Sequence, residues 1–365
     1  MKVLVILTGS MIFDGITNSV FNYYNAMDRA NMQIDIVSSR FTLKEMELKF
    51  NNIGCNVFKL EYRDKKPFKY LIDLSHLIRH GEYDIVHAHG NSATLALEST
   101  AALIGGCKNR VLHSRNSSCE HKIIDKLFRP IMYATYTDGF ACGKKAGEWL
   151  FQNRPFTIIK NGKDIDKFLF NNNIRIEYRN KLNVEEDVIL IGHVGLFHKQ
   201  KNHEFLIETF DEVSKVDERY RLVLIGDGEE MEKIRNLVFN KGLNDKVFFL
   251  GKKNDIENWL QALDIMVFPS LFEGMPNVVL EWQIAGLPSL ISDSITTECK
   301  ILDIVHYLPL QKGPKYWAKE ILSTSINNRQ GFQSCIKKEF INSGFDIKEN
   351  AKFLKLKYKE MLERQ

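Results

Sequence analysis

The sequence predicts an α/β protein built from two doubly wound parallel-sheet units in tandem, and three observations carry that prediction. Short apolar runs alternate with longer amphipathic stretches along most of the 365 residues. That alternation breaks once, in polar Asn-rich sequence around 160–186, and then restarts. The length itself suits two domains at roughly 100–200 residues each. A boundary near residue 165 follows, with units over 1–165 and 166–345.

In the first unit, strands are expected over 3–7, 33–37, 56–60, 84–87, 110–113, 139–141 and 157–159. Helical periodicity falls between them, over 16–27, 43–52, 68–79, 92–103, 122–136 and 144–151. In the second unit, strands are expected over 188–193, 221–225, 246–250, 265–268 and 287–291, with helices over 203–215, 229–241, 255–262 and 277–285. After Pro314 come three helical patterns and no clear strand, the last over 347–363. Strands that alternate with helices of this length imply βαβ crossovers and sheets covered on both faces. Two such units are expected to border a central cleft at the carboxyl ends of their strands, where open α/β sheets bind ligands.

Composition narrows the function. With 44% hydrophobic and 26% charged residues, wholesale disorder is excluded. No apolar run reaches the ~18 residues of a membrane span. The apolar run after Met1 and Lys2 is too short for a signal peptide and reads as a buried first strand, so a cytoplasmic protein is expected. The six cysteines form no C-x-x-C pair, which argues for reduced thiols and against structural zinc. Residues 1–165 carry a net charge of +6 and the remainder −2. The first unit therefore suits an anionic partner, and without basic blocks interleaved with aromatics it does not suit nucleic acid.

The strongest motif runs Pro269-Ser270-Leu271-Phe272-Glu273-Gly274-Met275-Pro276-Asn277-Val278-Val279-Leu280-Glu281. A strand ends, a turn follows and a helix opens near Pro276. The first-turn N–H groups make an anion site, and Gly274 lets a ligand approach the backbone. Glu273 before the helix and Glu281 on its second turn add two carboxylates, a set suited to a ligand with both phosphates and hydroxyls. The plainer alternative is a helix cap with one surface glutamate. A second turn, Gly192-His193-Val194-Gly195-Leu196-Phe197-His198-Lys199-Gln200-Lys201-Asn202-His203, offers two ammonium groups after a strand, and its alternative is a solvated basic turn. Gly226-Asp227-Gly228 and Gly251-Lys252-Lys253 fall on the same edge. Asp14-Gly15 opens the first helix with one glycine, short of a dinucleotide fingerprint.

In the first unit, His87-Ala88-His89-Gly90-Asn91 and His113-Ser114-Arg115-Asn116 end two strands. A substrate-binding role for His89, Asn91, Arg115 and Asn116 is preferred to metal ligation, because no further acidic or histidine cluster is evident in the chain, and a structural role for His87 stays open. In 122–132 the apolar residues 123, 124, 127, 128, 131 and 132 alternate with Lys122, Lys126 and Arg129. That pattern fits a core helix with a solvated face slightly better than a helix lying on an anionic membrane.

These motifs, in this order and spacing, resemble the retaining glycosyltransferases of sequence family four, and among them the bacterial capsule and exopolysaccharide enzymes. The resemblance covers nearly the whole chain: the Gly15 loop, His87 to Ser92, His113-Ser114, Asn161-Gly162-Lys163-Asp164, Gln200 to His203, Gly226-Asp227-Gly228 and the Glu273…Glu281 pair. It implies a GT-B fold whose first domain binds the acceptor, whose second binds a nucleoside-diphosphate sugar, most often a UDP-sugar, and whose last helix (346–365) crosses back to the first domain. Glu281 would hold the ribose, the amides of Met275, Asn277 and Val278 the diphosphate or hexose, and the backbone near Lys252 the base. Gly195 and Gly15 would approach the donor phosphates, Lys201 would neutralise the leaving group, and Glu273 and His113 would lie near the sugar. The implied transferase needs no metal or other cofactor. Its implied acceptor is a lipid-linked saccharide or oligosaccharide at the inner face of the cell membrane.

Leu196 departs from the family pattern, which has arginine there. Losing a charge-assisted bond of roughly 1.5–3 kcal/mol would slow leaving-group departure by about one to two decades. Two other readings stand beside the transferase: a GT-B sugar-nucleotide 2-epimerase and a non-catalytic partner subunit.

Overall fold

The computed structural model describes residues 1–119, 121–273, 275–326 and 328–364. Its apolar runs become strands because both faces of each are covered; Val3, Leu4, Val5 and Ile6 are all fully buried. The first unit comprises Met1–Lys163 and Gly344–Gln365, and the second Asp164–Ser343.

The first unit runs β1 (Lys2–Leu7), α1 (Gly15–Ala26), β2 (Gln33–Ser38), α2 (Lys44–Asn52), β3 (Asn56–Lys59), α3 (Pro67–Gly81) and β4 (Ile85–Gly90). It continues with α4 (Ala96–Ile104), β5 (Asn109–Ser114), α5 (Lys122–Thr135), β6 (Asp138–Ala141), α6 (Lys144–Phe151) and β7 (Thr157–Ile158). Its parallel sheet has the order β3-β2-β1-β4-β5-β6-β7, so the winding reverses between β1 and β4. The second unit has α7 (Ile165–Phe168), α8 (Asn172–Lys181), β8 (Ile189–Val194), α9 (His203–Val216), β9 (Tyr220–Ile225), α10 (Met231–Asn240) and β10 (Val247–Gly251). After these come α11 (Ile256–Ala262), β11 (Ile265–Phe268), α12 (Asn277–Ile284), β12 (Ser289–Ser292), β13 (Val305–Leu308), α13 (Gly313–Leu322) and α14 (Gln333–Asn342). The parallel order β10-β9-β8-β11-β12-β13 reverses between β8 and β11.

The last helix, α15 (Ile347–Glu363), packs into the first unit. Ile347, Ala351, Leu354, Tyr358 and Met361 are buried in one core cluster with Val3, Val5, Tyr23 and Tyr24. The chain enters α15 by pairing with residue 163: the Lys163 N–H donates to Phe345 O (2.7 Å) and the Ile347 N–H to Lys163 O (3.0 Å). Gly162 permits that approach, because a Cβ there would lie 2.7 Å from Ile347 Cα. The Tyr358 hydroxyl then contacts both Tyr24 Oη (2.8 Å) and His87 Nδ1 (2.6 Å).

Three expectations change. The polar stretch near 160–186 contains α7 and α8. α8 is held by polar bonds, which leave no apolar stripe to see: Asn171 caps it, accepting from the N–H groups of Asn173 and Ile174. Arg175 (2.6 Å) and Arg179 (3.2 Å) bind Asp264, which also accepts from the Leu190 N–H (2.8 Å). β13 was invisible because only Val305 and Leu308 of its four residues are buried. The slightly preferred core-helix reading of 122–132 holds for one face of α5, where Met132 is fully buried and Phe128 packs against the same core cluster, and fails for the rest of its apolar set. Ile123 (79% exposed), Leu127 (69%) and Ile131 (48%) face outward, while Asp125 faces inward, accepting from the Ala93 N–H (2.7 Å) and the Arg129 Nε–H (2.8 Å).

Leu354→Ala is expected to cost ~2–5 kcal/mol of stability, and Tyr358→Phe ~1–3 kcal/mol by leaving buried groups unpaired. Urea unfolding midpoints measure both; unchanged midpoints would mean that α15 is not part of the first unit's core.

Candidate functional site

β8 and β11 are the neighbours at which the second unit reverses, and their outgoing loops carry the residues singled out from sequence. The β8 loop packs backbone to backbone against the turn after β9. A Cβ on Gly226 (φ 148°) would sit 1.9 Å from Gly195 O, and one on Gly228 (φ 154°) 2.6 Å from Phe197 O. The Phe197 N–H donates to Asp227 O (2.9 Å), and Asn202 ends the following turn in the left-handed region at φ 58°.

The β8 and β11 loops are tied together by main-chain and amide bonds. The Leu271 N–H donates to Gln200 O (2.8 Å), the Gln200 amide to Phe272 O (2.7 Å) and the Asn202 amide to Pro269 O (3.2 Å). This tie sets Lys201 Nζ 2.6 Å from Glu273 Oε1 and 4.6 Å from the centre of the Phe268 ring, with both charged side chains mostly buried. An ammonium has three donors, so one can bind Glu273 while others address an incoming anion.

α12 opens beside this pair with Pro276 at its N-cap. Met275, Asn277 and Val278 are half-buried around its first turn, and Glu281 is half-buried one turn further, on the same helical face as Asn277 and Val278. Gly274 lies outside the described residues. Lys252 is exposed just after Gly251, whose carbonyl accepts from the Gly226 N–H (3.0 Å). Leu196 projects an apolar side chain that is 62% exposed, and Lys199 is exposed nearby. One cation, a helix N-terminus and two carboxylates thus share one sheet edge, an arrangement that suits an anionic, hydroxyl-rich ligand.

Sequence reasoning placed two imidazoles in the Gly192–His203 motif without giving them a role. His193 and His203 are buried with ring centroids 4.5 Å apart, and His203 stacks on Phe197 at 4.2 Å. His193 Nδ1 lies 2.9 Å from Val267 O, while neither ring nitrogen of His203 has a protein partner among the described residues. Burial pushes His193 down to about 4 and His203 down to about 2, with the Lys201 charge adding to both shifts.

In the first unit, a cavity of about 710 Å³ opens at the β1/β4 reversal, lined by Gly9, Asp14, Arg40, Arg63, His89, Asn91, Ile124 and Phe128 among others. Gly15 is exposed at the start of α1, where Asp14 caps the helix by accepting from the Thr17 N–H (2.7 Å). Burial raises the Asp14 carboxyl against that bond. Asn91 lines the cavity and donates to Ser118 O (3.1 Å). Asn116 instead accepts from the Ser117 N–H (2.8 Å), a local turn bond.

Parallel register aligns His89 with His113, and it gathers His87, His89 and His113 so that one ligand nitrogen from each lies within 4.8 Å of the others. This three-histidine group corrects the expectation that no cluster would form around the His87–His89 pair. The surroundings nevertheless oppose a cation. Arg115, almost fully buried, donates from Nε to His89 Nδ1 (3.0 Å) and from Nη1 to Asn161 Oδ1 (2.9 Å), and burial lowers its guanidinium from the ordinary arginine range. Accepting that bond places the His89 proton on Nε2, which removes a ligand lone pair. His87 is likewise engaged by Tyr358 at Nδ1 and by His113 Nδ1 at 3.2 Å from Nε2. Burial holds all three imidazoles well below their ordinary range, so they are neutral at pH 7. Arg115 is thus an internal tie, and His113 reaches the strand end buried.

The family model of glycosyl transferases group 1 matches residues 174–303. A Bacillus subtilis protein named "Putative glycosyltransferase EpsF" is 30% identical over 364 residues, covering 96% of this chain and 94% of that protein. An Escherichia coli protein named UDP-Gal:alpha-D-GlcNAc-diphosphoundecaprenol alpha-1,3-galactosyltransferase is 30% identical over 250 residues, covering 65% of this chain and 64% of its own. Among solved structures, HepE of Anabaena in complex with UDP-glucose superposes with a TM-score of 0.78 at 17% identity, covering 100% of both chains.

His203→Phe keeps the stacked shape and removes two unsatisfied buried nitrogens. A depressed imidazole favours folding fully above pH 6.5, and stability is lost as pH falls below that value. The variant is expected to match or exceed the wild-type melting temperature at pH 7.5 and to lose less of it by pH 5. Parallel acid limbs in thermal melts would contradict the burial of a neutral His203.

Proposed function

The chain belongs to the glycosyl transferases of group 1 and has their GT-B fold, and from that premise we propose that it is a retaining hexosyl- or N-acetylhexosaminyltransferase of exopolysaccharide or capsule synthesis. Its donor is a nucleoside-diphosphate sugar, in the first instance a UDP-sugar. Its acceptor is a lipid-linked saccharide, the class named for the Escherichia coli relative. The observation that carries this reading is the 2.6 Å Lys201–Glu273 pair beside the first turn of α12.

In this reading the second unit holds the donor. The α12 first-turn amides around Met275, Asn277 and Val278 bind diphosphate, Glu281 accepts from the ribose hydroxyls, and the backbone at Lys252 meets the base. Gly195 allows the phosphates to approach the β8 loop. Gly15 and His113 are the corresponding first-unit groups, for phosphate and sugar. His89, Asn91 and the cavity around them receive the acceptor. The bond from the anomeric carbon to the diphosphate oxygen breaks, and a bond to the acceptor oxygen forms on the same face. The acceptor proton passes to the departing diphosphate oxygen. Lys201 and the fixed amide dipoles stabilise the charge that develops on that leaving group without need of a metal ion. Glu273 orients Lys201 and stabilises positive charge on the sugar; it is not a covalent nucleophile.

Glu281→Ala is expected to weaken UDP-sugar binding about 10–100-fold, the worth of a charged hydrogen bond of ~1.5–3 kcal/mol. Titration calorimetry measures it, and unchanged affinity would remove the donor assignment. Incubation with a UDP-sugar alone tests the epimerase reading, which a new epimer formed without acceptor would establish in its place.

Leu196 favours one second reading, a partner subunit without turnover of its own. If the chain is the enzyme, Leu196→Arg is expected to raise an existing kcat by up to about 10–100-fold by adding charge at the leaving group. Turnover that appears only in the variant would instead support the partner-subunit reading.

A further inference from the structure

We propose that the buried polar network of the first unit sets His89 and His113 as two N–H donors for an oxygen of the acceptor saccharide. Arg115 is the positioning residue for His89, and a Tyr24–Tyr358–His87 relay positions His113. The inference rests on the reading that the first unit's cavity receives the acceptor, and it adds which atoms carry the protons there. Arg115 is almost fully buried, yet no carboxylate among the described residues pairs with it. Its bonds go to neutral groups: His89 Nδ1 (3.0 Å), Asn161 Oδ1 (2.9 Å) and Ser19 Oγ (3.4 Å). Burying a cation without an anion weakens a fold, so stability does not account for this guanidinium. What it achieves is a fixed tautomer. The Nδ1 lone pair is taken, and the proton of a neutral His89 stands on Nε2. That N–H has no partner among the described residues, and His89 lines the cavity of about 710 Å³.

His113 is set by a chain of hydroxyls and rings. Tyr24 Oη lies 2.8 Å from Tyr358 Oη, Tyr358 Oη 2.6 Å from His87 Nδ1, and His87 Nε2 3.2 Å from His113 Nδ1. With neutral rings, one polarity gives each of the two buried hydroxyl protons an acceptor. The Tyr24 hydroxyl donates to Tyr358, Tyr358 donates to His87 Nδ1, and His87 donates from Nε2 to His113 Nδ1. In the reverse polarity the Tyr24 proton has no acceptor among the described residues, and a buried unmade donor is the rarer and costlier defect. The first polarity leaves the His113 proton on Nε2, which is likewise buried and unpartnered. The His89 and His113 rings stand 5.0 Å apart, centre to centre, on paired residues of β4 and β5. Two N–H groups are therefore offered side by side and no lone pair. Such a pair holds a hydroxyl or phosphate oxygen and cannot take a proton, so neither imidazole serves as a general base.

The test is a long-range 1H–15N correlation spectrum of the full chain labelled with 15N-histidine, in which His87, His89 and His113 are assigned by substitution. At neutral pH all three are expected as Nε2–H tautomers. Arg115→Met should release His89 toward the Nδ1–H form without changing His113, and Arg115→Lys, which restores a donor, should return it. Tyr358→Phe should release His87 and His113 without changing His89, whereas Tyr24→Phe should change no tautomer. A role confined to packing would move none of them. A short-chain alkyl diphosphate of N-acetylglucosamine, a soluble probe of the acceptor class named for the Escherichia coli relative, should shift both Nε2–H protons. Arg115→Met should weaken binding of that probe by about tenfold, the worth of one hydrogen bond, and Arg115→Lys should recover it. An Nδ1–H tautomer at His89 or His113 in the wild type overturns the proposal, as does a probe that leaves both Nε2–H protons unmoved. Unchanged UDP-sugar affinity in Glu281→Ala, with both tautomers as expected, would instead remove the donor assignment and leave the two N–H groups in place.

Discussion

The ion pair of Lys201 with Glu273 is the constraint on which the chemistry proposed for the second unit depends. Neither residue is on a strand or in an α-helix. Each is placed by its loop, and the loops are placed by the adjacency of β8 and β11. The bonds from Leu271 to Gln200, from Gln200 to Phe272 and from Asn202 to Pro269 convert that adjacency into a fixed position for an ammonium. In the proposed reaction, an ammonium fixed by one carboxylate and an aromatic face stands where a developing anion can use it, and little reorganisation remains for the moment of reaction.

The same logic organises the first unit with a different outcome. There the register of β4 with β5 brings three histidines together, yet burial holds them neutral and the bond from Arg115 takes up the Nδ1 lone pair of His89. Proximity of ligand-type side chains is therefore insufficient evidence for a metal centre. The hydrogen-bond partners decide which lone pairs are left. α15 supplies one of those partners, Tyr358, so the final helix contributes to the electrostatics of a strand end as well as to core volume.

Much of this was legible in the chain, and the legible parts share a physical cause. Buried parallel strands need continuous apolar runs, so β1, β4, β8, β9 and β11 announce themselves. Turns that require glycine announce themselves too, as Gly226 and Gly228 do, because their backbone approach to Gly195 and Phe197 tolerates no side chain. Glu273, Lys201 and Glu281 were found because they flank such strand ends. α8 was not found because it is held by Arg175, Arg179 and an Asn171 cap, interactions without a period. His193 and His203 were passed over because a histidine at a strand end looks the same whether it is bonded or orphaned.

The sequence by itself determined the two-unit parallel architecture, the strand-end motifs and the amphipathic character of residues 122–132, since each follows from local patterns of apolarity and turn chemistry. Tertiary structure alone decided which way that amphipathic helix faces, which histidines meet and which lysine finds a carboxylate. Those outcomes depend on which strands become neighbours and in what register, and pairing across tens of residues leaves no mark on the local pattern of the chain.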